Sequence, residues 1–216
     1  MFDLSLPTGQ ELVQDLILIV IFLGIAFPIH EFFHGWTAYQ LGDGTAKMYG
    51  RLTLNPVVHF DPFGGLMLIA STLLGAGFII GWAKPTPVGP WNLRDRRNGE
   101  VLVAVAGPAS NLVMAVLGAI VFRVLGIVAP DAPQIVWEIV GSFVLFNISL
   151  AIFNMIPVPP LDGSAVLLRL LPPQTAREVA PMLAQYGLMI VIVVVLVFGR
   201  YIGGAIGGVT DLLLGI

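Results

Sequence analysis

Pro28-Ile29-His30-Glu31-Phe32-Phe33-His34 closes an apolar run, Leu16 to Phe27, that holds no charged residue. Ionisable groups at such depth are expensive to bury and mark function in membrane segments. On a helix, residues four apart share a face, so His30 and His34 can reach one zinc ion, with Glu31 beside them as general base. On a soluble helix the same pattern is often only a solvated surface. An apolar setting argues against that reading, because buried charges need partners.

The apolar setting extends along the chain. Its 216 residues are 57% hydrophobic and 11% charged, with a mean hydropathy of +0.93. A soluble domain carries about a quarter charged residues, so the composition indicates a polytopic protein of the lipid bilayer with almost no aqueous part. Cysteine is absent, which excludes disulfides and thiolate sites and leaves nitrogen and oxygen as metal ligands. A net charge of −3 and the lack of a basic tract give no sign of a nucleic-acid partner. Residues 1–15 carry Asp3, Glu11 and Asp15 but no Lys or Arg, unlike a cleaved signal, so this segment is expected to be retained.

Six apolar stretches stand out: about Leu12–Tyr39, 63–82, Val101–Val128, about Ile135–Ile156, 182–199 and 201–216, the last two split by Arg200. A crossing needs roughly 20 apolar residues, which secures four of them. Orientation follows from Lys and Arg in the loops. None precedes the first helix, so the N-terminus is expected outside. Lys84, Arg94, Arg96 and Arg97 put 83–98 in the cytoplasm, 129–134 has none and lies outside, and Arg169 and Arg177 return 160–180 to the inside. Lys47 and Arg51 place 40–62 in the cytoplasm too, so the Gly-rich 63–82 segment is expected to be re-entrant. Residues 45–54 alternate, with Lys47, Tyr49, Arg51 and Thr53 against Met48, Gly50, Leu52 and Leu54, which predicts a strand or hairpin. The expected fold is an all-α polytopic membrane protein: 1–216 as one membrane-embedded domain, about five to six transmembrane or re-entrant helices, and a short intramembrane β element.

A catalytic zinc takes three protein ligands and leaves one position for water. His30 and His34 supply two; the third is His59 or a carboxylate. The best carboxylate is Asp162 in Asn154-Met155-Ile156-Pro157-Val158-Pro159-Pro160-Leu161-Asp162-Gly163, where prolines end an apolar helix. Irregular backbone at membrane depth is tolerated where it is buried in protein or lines a wet cavity. Asp162 also suits a helix N-cap before 163–171. Asn154 suits either catalysis or a helix–helix hydrogen bond. Asn147 reads as structural, His59 as a structural residue in a turn-rich loop, and Asn111, beside Gly107, Ala109 and Ser110, as part of a tight helix contact.

Three blocks in this order resemble the site-2 protease family of intramembrane zinc metalloproteases: His30-Glu31-x-x-His34, Ala106-Gly107-Pro108-x-x-Asn111, and Asn154-x-x-Pro157-x-x-Pro160-Leu161-Asp162-Gly163. Lys84-Pro85-x-Pro87-Val88 is similar to a loop of a compact prokaryotic branch of that family. The resemblance implies that His30, His34 and Asp162 bind one Zn2+, that Glu31 is the base, and that Asn154 positions or polarises the scissile carbonyl. The substrate would be a membrane protein with a transmembrane segment, cut in a prokaryotic cell membrane at a site nearer the cytoplasm. The chain differs from better-known members in lacking a PDZ domain between the third and fourth helices, a CBS pair at the C-terminus, and a helix before the metal motif. Two other readings use the same residues: a metal or ion transporter, and a zinc-binding membrane protein that does not cut.

Overall fold

The computed structural model describes Ile17, residues 19–73 and residues 81–216. Among these, four helices are long and apolar enough to cross a membrane: α1 (Ile19–Gln40), α5 (Arg96–Val128), α6 (Gln134–Asn154) and α8 (Pro173–Leu214). Between α1 and α5 lie three short α-helices, α2 (Thr45–Met48), α3 (Pro56–His59) and α4 (Pro62–Leu73), and a 3-10 turn (Pro90–Asn92), and α7 (Gly163–Leu170) precedes α8. The long helices leave Leu112, Val116, Ile120, Leu188, Ile192 and Leu196 exposed. Apolar faces of that extent on α5 and α8 suit contact with lipid and not with water.

α1 departs from regular geometry where its sequence requires it. Pro28 offers no N–H and crowds the preceding turn. The turn before it, Phe22–Ala26, is a π-helix in which the Phe27 N–H reaches back to the Phe22 carbonyl. Such an insertion turns the helix face that follows it, and it recurs at functional sites. α5 is the central helix. It packs on α1 with one face and on α6 with another. Ala115 and Ala119 of α5 meet Val144 and Ile148 of α6 and Leu214 of α8 in a buried cluster. Arg123 of α5 caps the far end of α8, donating from Nε to the Leu213 carbonyl (2.7 Å) and from Nη2 to that of Leu212 (2.9 Å).

Residues 40–95 leave α1 and rejoin α5 on the same side. The Arg94 N–H donates to the Leu41 carbonyl (3.0 Å), and Ala38, Leu93 and Val103 share a buried cluster. The described ends of the 63–82 segment lie against each other. A Cβ on Gly64 would stand 2.9 Å from the Trp82 carbonyl carbon, and one on Gly81 would stand 2.8 Å from Leu68 Cβ. The Lys84 N–H donates to the His59 carbonyl (2.8 Å). The chain thus returns beside its own outgoing limb; residues 74–80, within the expected re-entrant element, lie outside the described residues, as do residues 1–15.

Two expectations are corrected. Residues 45–54 form no strand. Thr45 to Met48 is one helical turn, started by Asp43 accepting from the Thr45 N–H (3.0 Å) and hydroxyl. Gly50, at φ +67°, then reverses the chain so that the Arg51 N–H meets the Ala46 carbonyl (2.8 Å). These local bonds outweigh an alternating pattern, whose β preference depends on a partner strand. The stretches 182–199 and 201–216 are a single helix, the 42-residue α8, which Arg200 does not interrupt because its side chain is exposed.

Candidate metal centre

His30 and His34 stand one turn apart on α1, both buried, with Nε2 atoms 2.9 Å apart. Asp162 Oδ2 lies 3.3 Å from His30 Nε2 and 3.4 Å from His34 Nε2. The structure therefore brings together the two imidazoles and the distant carboxylate. Asp162 arrives through a compact turn. A Cβ on Gly163 would stand 2.7 Å from the Ile156 carbonyl oxygen, and one on Gly187 of α8 would stand 3.0 Å from the Pro159 carbonyl carbon. Leu161 packs with Val158 and Val191. The turn is thus clamped between its own strand of chain and α8. Asp162 occupies the N-cap position of α7, but its side chain makes no capping bond.

The protons on the imidazoles are fixed by their outer partners. His34 Nδ1 faces the Val103 carbonyl at 2.7 Å, so it must donate. His30 Nδ1 faces Asn111 Oδ1 at 2.6 Å. Asn111 is oriented in turn, because its Nδ2 donates to Asn147 Oδ1 (2.9 Å) and Asn147 Nδ2 donates to the Phe143 carbonyl (2.8 Å). With both Nδ1 atoms protonated, each neutral ring turns a lone pair inward through Nε2. Asp162 Oδ2 adds a third and is buried with no hydrogen-bond partner. In that tautomer three lone pairs converge on one point, an arrangement that a cation would satisfy. Tetrahedral zinc with bonds of about 2.0–2.1 Å separates its ligand atoms by roughly 3.3 Å, close to the distances here. The donor set fits zinc, and His30, His34 and Asp162 are the residues that would hold it.

Asn111 and Asn147 are the residues that sequence reasoning missed in function. Asn111 does lie in the α5–α6 contact, as expected, but its carbonyl oxygen also orients the His30 ring, through Nδ1. Such outer partners are worth about 10–100-fold in metal affinity. Asn111→Leu, which keeps the volume and removes the acceptor, is expected to weaken zinc binding by that factor in a chelator competition. The signal available in sequence was the Asn pair itself, since two amides in apolar helices need partners.

The remaining candidates fall in different places. Glu31, buried, accepts from the Thr86 N–H at Oε2 (2.7 Å), and its backbone carbonyl accepts from the Thr86 hydroxyl (3.0 Å). Asn154 is half-buried and turned to its own helix, donating from Nδ2 to the Leu150 carbonyl (3.0 Å). His59 lies outside the cluster, with Nε2 2.8 Å from the Thr53 carbonyl. Below α1, buried Asp43 collects the Thr45 N–H and hydroxyl, the Asn92 amide (2.9 Å) and the Gly89 N–H (2.6 Å). Burial alone would raise its pKa, but the bonds from Thr45, Asn92 and Gly89 outweigh it and hold the carboxyl below the ordinary range.

The sequence profile of peptidase family M50 matches residues 123–198, which include Asp162. A Bacillus subtilis protein named "Putative zinc metalloprotease YwhC" is 35% identical over 192 residues, covering 85% of this chain and 83% of its own length. Rip2 of Mycobacterium tuberculosis, with the same zinc-metalloprotease designation, is 31% identical over 88% of this chain and 71% of its own. A relative from Methanocaldococcus jannaschii so designated is 30% identical over 77% of this chain and 76% of its own. No solved structure matches the chain.

Proposed function

The chain belongs to peptidase family M50, the site-2 protease family of zinc metalloproteases, and on that premise we propose that it cuts peptide bonds within or beside the transmembrane segments of other membrane proteins. The observation that carries this reading is the His30–His34–Asp162 cluster at the inner face of helices long enough to cross a bilayer. Residues 1–216 act as one membrane-embedded unit, with the site nearer the cytoplasm. That side is supported by Lys84, Arg94, Arg96 and Arg97 in the loop ahead of α5.

Zinc held by the three residues would supply a Lewis acid for the scissile carbonyl and a water ionising near neutral pH. Glu31, adjacent in sequence to His30, takes the proton from the attacking water and later returns one to the leaving amine. Asn154 donates its amide to the developing oxyanion, a role that asks it to exchange its bond to Leu150 for one to substrate and is worth about 3 kcal/mol when well aimed. A substrate helix satisfies its own backbone groups, so it must unwind before its carbonyl reaches these residues.

The test is wild type against Glu31→Gln, purified in detergent and incubated with single-span model substrates while bound zinc is measured. Both proteins are expected to carry one zinc per chain, and the variant to lose about 10²–10⁴-fold in turnover. Equal cleavage by both, or by neither, overturns the proposal.

A further inference from the structure

Glu31 lies on the α1 face that also carries Gly35, one turn on. A Cβ on Gly35 would stand 3.1 Å from Thr86 Cγ2. The missing side chain thus seats Thr86 directly over Glu31, where it grips the residue twice, by its N–H to Oε2 (2.7 Å) and by its hydroxyl to the backbone carbonyl (3.0 Å). Oε1 has no partner among the described residues. We propose that Thr86 is the positioning residue of the general base: its backbone N–H fixes one carboxylate oxygen of Glu31 so that the other faces the attacking water. This rests on the reading of Glu31 as that base.

The segment that carries Thr86 is built to hold it still. Pro85 and Pro87 flank it; each fixes its own φ, and each biases the residue before it toward extended backbone. The segment is tied on one side of Thr86 by the Lys84 N–H to the His59 carbonyl (2.8 Å) and on the other by the Gly89 N–H to Asp43 (2.6 Å). His59 is itself held through Nε2 to Thr53, and Asp43 binds Thr45 and Asn92 as well. Thus the buried His59 and Asp43, which take no part in the metal cluster, both steady the donor that aims Glu31. Of the two contacts, the N–H bond to the carboxylate is the stronger, because its acceptor carries charge. The hydroxyl bond falls on a neutral carbonyl.

The experiment uses the full chain in detergent with Thr86→Pro, which deletes the N–H, Thr86→Val, which deletes the hydroxyl at constant shape, Thr86→Ser, Glu31→Gln, and the Thr86→Pro/Glu31→Gln double variant. Thr86→Pro is expected to lower kcat by about 10²-fold, the effect of a misplaced catalytic group, with KM and zinc content held. Thr86→Val is expected to lose about tenfold, and Thr86→Ser to restore most of it. On the Glu31→Gln background Thr86→Pro is expected to add nothing. In metal-free protein, the Glu31 carboxylate infrared band, recognised by its absence in Glu31→Gln, is expected to shift in Thr86→Pro and to stay in place in Thr86→Ser. Wild-type kcat in both Thr86→Pro and Thr86→Val, an unmoved band, or full additivity with Glu31→Gln overturns the assignment. Should Thr86→Pro not fold, Pro85→Gly/Pro87→Gly, which loosens the backbone that carries the N–H, takes its place: a lowered kcat with a shifted Glu31 band supports the assignment, and an unmoved band at wild-type kcat overturns it. Equal turnover by wild type and Glu31→Gln would instead remove the base from Glu31, and the infrared band would still judge the Thr86 contact.

Discussion

Gly107→Ala is expected to yield a folded protein that binds no zinc and cleaves nothing. In a helix interior this exchange ordinarily stabilises by about 1 kcal/mol. Here the added Cβ would land against His34 Nε2 and stand 2.6 Å from His34 Cε1 and 2.7 Å from His30 Cε1. The rings have no room to withdraw, because the Val103 carbonyl holds one at 2.7 Å and Asn111 holds the other at 2.6 Å. The methyl group therefore occupies the space on which the lone pairs converge. Zinc per chain by elemental analysis, read beside helical content by circular dichroism, checks the expectation. Full zinc loading in a helical Gly107→Ala protein would refute the cluster as the metal site.

Asp162→Asn is expected to have an effect of the same class with an opposite sign on the metal-free protein. The substitution keeps the shape of the side chain and removes its charge. A neutral amide is a poor ligand for zinc, so affinity should fall by more than the about 10–100-fold of an outer partner. Its N–H₂, however, can donate to Nε2 of His30 or His34, which stand 3.3 and 3.4 Å from Asp162 Oδ2. A buried acceptor left unsatisfied costs about 1–3 kcal/mol, and Asp162 Oδ2 is such an acceptor. Thermal unfolding in detergent with a chelator should thus show Asp162→Asn more stable than wild type, and excess zinc should raise the wild type alone. A zinc-dependent rise of equal size in both proteins would exclude Asp162 from the site.

Much of this was legible in the sequence, for local reasons. Helical spacing alone puts His30 and His34 on one face, and the proline turn before Asp162 advertises itself as irregular backbone in an apolar context. Four helices long and apolar enough to cross a membrane follow from length and hydropathy. What escaped was decided by contacts distant in sequence. Nothing near Asn111 says that it will meet His30, 81 residues away, and nothing near Thr86 says that it will meet Glu31, 55 residues away. The alternation of 45–54 was a real pattern with the wrong consequence, since Asp43 and Gly50 bend that stretch into a turn before any neighbour strand can claim it. Arg200 was read as a boundary, but an exposed side chain interrupts no backbone ladder, and α8 runs on for 42 residues, about 63 Å.

The excursion between α1 and α5 leaves and returns on one side, and it alone supplies Thr86, His59 and Asp43. The partners of the two imidazoles, by contrast, come from α5, and Asp162 from the turn beyond α6. The supports of Glu31 and the supports of the two imidazoles thus reach α1 from different parts of the chain. If Glu31 is the base and His30, His34 and Asp162 hold the metal, substitutions among residues 41–94 should shift turnover at unchanged zinc content, and substitutions at Asn111 should shift zinc content first.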